Sequence, residues 1–267
     1  MSTYAWRCNK CARKIEKESQ PDVSGCPEGG QHEWQRPTKA GPLDRASLEI
    51  YDRQFDGIDH LHRYPAMLPY VGPRYLSPGH AKVLLLGESN YLPNESTAHK
   101  DAEKWYSGTQ NQLSDEEVEW VHNRHLLQGD WKPPGHKIYR EIDACVAEAT
   151  GPGCGEGGRA MNHVAYMNAF QRPAVGEGAS LTRCCTPKDE AIATDVVRKV
   201  VSILRPAAVI FVSKFAWDKL SRGVDNGSSV RYDFTSHPAD HFHWRRRGYQ
   251  NGRQKFIALL KMSLHPQ

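Results

Sequence analysis

The sequence predicts an α/β fold: a mainly parallel central sheet in three α/β/α layers, preceded by a small N-terminal zinc-binding module. Three observations predict it. The run Val83-Leu-Leu-Leu86 ends at Gly87 and reads as a buried central strand opening into a turn. Further along, strand-like segments alternate with helical ones, the pattern of parallel strands joined by crossover helices. Finally, Cys8-x2-Cys11 is followed after fourteen residues by Cys26-x5-His32, thiol and imidazole ligands at zinc-ribbon spacing.

These features divide the chain into a zinc-ribbon-like module (1–36), a linker and irregular packing segment (37–67) and an α/β domain (68–267). The module has few apolar residues (Tyr4, Trp6, Ile15, Val23, Trp34), so metal binding would supply folding energy that its core cannot. Four protein ligands would make the zinc site closed and structural. The rival is an iron–sulfur cluster joining Cys8 and Cys11 to distant cysteines such as Cys154 and Cys184. Cys26 and His32 lie nearer and complete a set.

Composition is that of an ordinary globular chain of 267 residues, 39% hydrophobic and 25% charged. No apolar run approaches the ~20 residues of a membrane span, and the start lacks the apolar core of a secretory signal. A cytoplasmic location is expected, with cysteines as thiols or metal ligands. The net charge of +4 names no partner. From Asp240 onward, however, six Lys/Arg face one acid, with Arg245, Arg246 and Arg247 consecutive, a candidate phosphate-binding patch.

Elements follow in order. A short helix is expected near Leu48 to Phe55. Beyond the Gly87 turn, the polar stretch Asn94 to Gly135 contains one helix, with Ser114 as N-cap and Glu117 completing a capping box. Ile138, Ile142, Cys145 and Val146 share a face of a helix over Lys137 to Thr150, stopped by Gly151-Pro152. The glycine-rich run 151–158 lacks Gly-Lys-Ser/Thr and follows no strand, so it is a loop rather than a phosphate cradle. Val164 to Phe170 is a strand containing a polar residue, Asn168, which is either a hydrogen-bond node or a ligand reader. Thr186-Pro187-Lys-Asp189 starts a helix that runs to about Leu204. Ala207 to Val212 is a strand, Ser213-Lys214 begins the next helix, and Val230 to Phe234 is a strand ending near His237-Pro238. Phe256 to Met262 closes the chain as an apolar helix.

Four strand ends now stand in chain order: Gly87-Glu-Ser-Asn-Tyr91, Met167-Asn-Ala169, Ser213-Lys-Phe-Ala216 and His237-Pro238. In order and spacing this resembles the uracil-DNA glycosylase superfamily, from about Leu68 to Leu260. The resemblance implies a DNA N-glycosylase acting on a damaged or modified base flipped into a pocket. Glu88, Ser89 and His237 would be the catalytic group, His237 stabilising charge on the departing base. Asn168, with Tyr91, Asn90 and Gly87, would bind the base. Ser213, Lys214 and the three arginines would follow the DNA backbone, and Trp244 or Phe242 would fill the emptied stack. The implied partner is DNA, met by a monomer, with structural Zn2+ and no catalytic cofactor.

The motifs also depart from the superfamily. Ser89 stands where its best-known branch has Asp, and Asn90 where that branch has Pro. Branches with Glu at the position of Glu88 continue Ala-Pro-Gly rather than Ser-Asn-Tyr. The alternative is therefore a catalytically inactive nucleic-acid-binding module of the same fold. A third reading is a metal-dependent hydrolase using His237, His241 and His243, which Pro238 opposes because it interrupts a regular helix.

Overall fold

The computed structural model describes residues 4–8, 14–17, 34–35, 51–77, 80–108, 112–132, 136–151, 158–176, 178–225, 227, 229–245 and 251–264. They fall into two compact units, Met1–Arg45 and Ala46–Gln267. In the first, β1 (Tyr4–Cys8), β2 (Lys14–Lys17) and β3 (Trp34–Gln35) form an antiparallel sheet in the order β2-β1-β3. Cys8 lies opposite Trp34 in the β1–β3 register. The antiparallel register brings the chain into β3 at the end of the sheet where it leaves β1. Cys11, Cys26 and His32 lie outside the described residues.

The second unit is an α/β domain around a five-stranded sheet. Its strands are β4 (Tyr70–Val71), β5 (Val83–Gly87), β6 (Ala165–Asn168), β7 (Ala208–Phe211) and β8 (Arg231–Phe234), in the order β4-β6-β5-β7-β8. β5 occupies the middle, as its unbroken apolar run predicts, and Val83 to Leu86 are fully buried. Its pairings with β6 and β7, and that of β7 with β8, are parallel; only the two-residue edge strand β4 runs antiparallel, on β6.

Side chains alternate between two cores, as the period of two requires. Leu84, Leu86, Met167, Val209 and Phe211 belong to one core, with the helices Pro187–Leu204 and Lys214–Val224. Val83, Leu85, Tyr166 and Ile210 belong to the other, with the helices Lys137–Thr150 and Gly252–Leu264. Both sheet faces are thus covered, compatible with three layers. Among the described residues no helix is long and apolar enough to cross a membrane.

The capping signals hold. Ser114 and Glu117 form a capping box, and so do Thr186 and Asp189, the latter with Pro187 at the first helical position. The polar stretch expected to hold one helix holds three among its described residues: Ala102–Ser107, Asp115–Val121 and Asn123–Gln128. Residues 51–55 are helical, and Asp59–Arg63 forms a further short helix. Phe55, Ile58, Leu61 and Met67 are all core residues, so this segment is an integral part of the domain.

Candidate active site

Parallel pairing brings four strand ends to one edge of the sheet. Gly87 is in register with Asn168, Leu86 with Phe211, and Phe211 with Phe234. The residues just beyond β5, β6, β7 and β8 are therefore neighbours, outside the carboxyl ends of the strands where open α/β sheets bind ligands. A cavity of about 790 Å³ opens there, and Glu88, Ser89, Asn90, Tyr91, Asn168 and His237 all line it.

Glu88 is held by three donors. Its Oε1 accepts from the Ser180 hydroxyl at 2.6 Å and from the Leu181 N–H at 3.1 Å; its Oε2 accepts from the Ser213 hydroxyl at 2.9 Å. An ionised carboxylate can only accept, and charge-assisted bonds of this kind are about twice as strong as neutral ones. Ser213 was expected on the DNA backbone. It is instead buried, and its Oγ also accepts from the Ala216 N–H as the N-cap of its helix.

The loop that carries Ser180 and Leu181 is anchored from beneath. Arg172 is buried, pairs with the buried Asp189 through Nε at 2.8 Å and Nη2 at 2.7 Å, and also donates to the Cys184 carbonyl at 2.7 Å. Asp189 further accepts from the Tyr106 hydroxyl at 2.8 Å and from both the N–H and the hydroxyl of Thr186. Burial alone would raise the Asp189 pKa, but Arg172, Thr186 and Tyr106 outweigh it and hold the group below the usual carboxylate range.

His237 follows β8. Its Nδ1 accepts the Ala239 N–H at 3.2 Å, so in the neutral ring the proton sits on Nε2. Burial lowers its pKa, against partial opposition from the Glu88 and Asp240 carboxylates. His237 lines the cavity, and the lowered pKa favours the neutral ring with its proton on Nε2.

Asn168 is 4% exposed where it lines the cavity. Its Nδ2 donates to Asn90 Oδ1 at 2.6 Å, and its Oδ1 accepts from the Tyr166 hydroxyl at 3.2 Å. Asn168 is thus a hydrogen-bond node, and it stands at a cavity wall. Gly87 makes room for it: a Cβ there would stand 2.2 Å from Asn168 Oδ1 and 2.2 Å from Tyr166 Oη.

Much of the remaining lining is aromatic. Tyr91 meets Trp120 edge-on at 5.7 Å, and Tyr139 meets Tyr166 in the same way at 5.7 Å; all four line the cavity. His125, paired with Glu119 at 3.0 Å, lines it too. Sequence reasoning missed Trp120, Tyr139, Tyr166 and Ser180. Only Tyr166 carried a signal, lying two residues before Asn168 and so on the same strand face.

The remaining expected contacts divide. Lys214 is exposed and paired with Asp218 at 2.5 Å, and Arg245 pairs with Glu141. Arg246 and Arg247 lie outside the described residues. Trp244, offered as a stacking wedge, is fully buried and donates its indole N–H to Glu141 at 3.0 Å; it is a core residue. Phe242 is 57% exposed. His243 bonds Asp240 at 2.6 Å, and no group of three metal-ligating side chains gathers among the described residues. Compared with known proteins, the chain matches no family model and no curated protein.

Proposed function

We propose that the second unit is a DNA glycosylase-like enzyme of the uracil-DNA glycosylase type, which hydrolyses the N-glycosidic bond of a damaged or modified base flipped into the cavity. One observation carries this reading: Glu88, Asn168 and a His237 with its proton on Nε2 line a single cavity at the carboxyl edge of a parallel sheet. The carbon–nitrogen bond breaks with its electron pair passing to the base, water adds its oxygen to the sugar's anomeric carbon, and the proton that water loses ends on the departed base. The His237 N–H meets the base oxygen where that charge gathers, a contribution of about 10²–10³ in rate for one such donor. Glu88, fixed by three donors, supplies a negative charge opposite the developing positive sugar. Asn168 faces the base edge, and the aromatic wall gives it a stacking surface.

An abasic-site assay over strands carrying uracil, hypoxanthine and other lesions tests this. Product should form on at least one strand and fall about 100-fold or more in His237→Ala, the worth of one oxyanion donor. Absence of product on every strand, with salt-dependent DNA binding retained, would instead establish the second reading, an inactive nucleic-acid-binding module. Ser89 in place of a carboxylate favours that second reading.

For the first unit we propose a structural zinc site at Cys8, Cys11, Cys26 and His32. The register supports it, since the chain enters β3 beside Cys8, at the end where β1 leads toward Cys11. The full chain should carry one zinc per molecule by elemental analysis, lost in Cys26→Ser. Iron in its place, or zinc retained in that variant, rules this ligand set out.

A further inference from the structure

Asn168 ends a one-way chain of side-chain amides. The chain begins at the main-chain carbonyls of Met67 and Leu68, which accept from Asn123 Nδ2 at 2.8 and 3.5 Å. A carbonyl cannot donate, so Asn123 must turn its nitrogen to them and its Oδ1 away. That Oδ1 accepts from Asn90 Nδ2 at 3.3 Å, and the same nitrogen reaches the Val121 carbonyl at 3.4 Å. Asn90 Oδ1 is thereby left facing Asn168, whose Nδ2 donates to it at 2.6 Å. Asn168 Oδ1 then accepts from Tyr166. All three asparagines are buried, at 2–4% exposure, so turning any one of them would set like groups against each other away from water.

We propose that Asn90 and Asn123 are positioning residues that lock the Asn168 amide in one orientation, so that the cavity accepts a base edge of one hydrogen-bond polarity. The proposal rests on the glycosylase reading. Asn168 has two amide hydrogens and two acceptor lone pairs. One of each is engaged in the chain, leaving one N–H and one lone pair for a ligand, in fixed order. Keto bases and their amino counterparts (uracil and cytosine, hypoxanthine and adenine) carry the opposite order of donor and acceptor along this edge. An unlocked amide would flip to suit either. A locked one leaves the wrong base with two mispaired polar groups, and a base tethered to its strand cannot turn over to compensate. Specificity then comes from the penalty as much as from the fit.

Two measurements on the full chain test this. In side-chain ¹⁵N spectra, the Asn168 N–H bonded to Asn90 should exchange slowly with solvent in the wild type and faster in Asn90→Ala and Asn123→Leu. In single-turnover assays, both variants should reduce the keto-to-amino excision ratio by roughly tenfold, about what one buried neutral hydrogen bond is worth. A purely structural role would lower stability and overall rate together and leave that ratio unchanged. Unchanged ratio and unchanged exchange in folded Asn90→Ala overturn the lock. Should the wild type excise nothing, the glycosylase reading fails alone, and the exchange measurement still decides whether the amide is held.

Discussion

Ser213 Oγ donates to Glu88 Oε2 at 2.9 Å, tying the tip of β5 to the helix that follows β7. The same oxygen caps that helix by accepting from Ala216 N–H at 3.3 Å. Ser213→Ala removes both bonds. Stability should fall by about 1 kcal/mol for the lost N-cap and by about 1.5–3 kcal/mol more for the lost bond to the carboxylate, and excision should fall by more than the stability loss explains. Urea titration beside single-turnover rates measures the two effects. An unchanged rate would show that Glu88 does not need this donor.

The buried Arg172–Asp189 pair should be the most sensitive structural point outside the cavity. Asp189→Asn leaves a guanidinium that is 1% exposed without its counter-charge. Breaking such a pair from one side costs about 3–5 kcal/mol. There is a pH signature as well. A carboxylate with a depressed folded pKa contributes stability that is full above the ordinary aspartate value of about 3.9 and is lost as pH falls through the depressed value. The variant's stability should therefore vary less with pH at the acid end than the wild type's. Equal slopes would count against Asp189 as the source.

Gly87→Ala should damage the site through Asn168 and Tyr166. Overpacking of this kind costs about 1–3 kcal/mol, and relief requires the amide or the phenol to withdraw. Activity should be nearly abolished in a protein that still folds. A fully active variant would mean that the two side chains yield without consequence.

On the proposed glycosylase reading, excision should have an acid limb below the ordinary histidine value of about 6.5. As pH falls through the lowered pKa of His237, Nδ1 gains a proton and loses the Ala239 N–H bond that fixes the ring. Asp240→Asn removes a carboxylate that holds this pKa up, so its limb should move further toward acid. A pH–rate profile checks both, and a limb above that value would assign the titration to another group.

How much of this was legible in the sequence depended on how local the cause was. Val83 to Gly87 announced a central strand because burial on both faces demands an unbroken apolar run. Thr186 and Ser114 announced helix starts because a cap and its partner lie three residues apart. Asn123 announced nothing. Its helix is six residues long, too short to show a periodic stripe, and its partners Asn90, Met67 and Leu68 come from other segments. Trp244 misled because its neighbours are basic. The residue packs inward near Phe256, the two rings tilted with centres 5.8 Å apart, and only the packing of the last helix reveals it. Ser213 was legible as a cap, but its bond to Glu88 spans 125 positions and leaves no local pattern.

The central place of β5 has a thermodynamic consequence. A strand paired on both sides and buried on both faces opens only when the whole domain unfolds, so its amides should be among the slowest to exchange. The residues at its tip are mounted on that rigid element. A ligand entering the cavity would then pay little to order its walls, and more of the contact energy would remain as affinity.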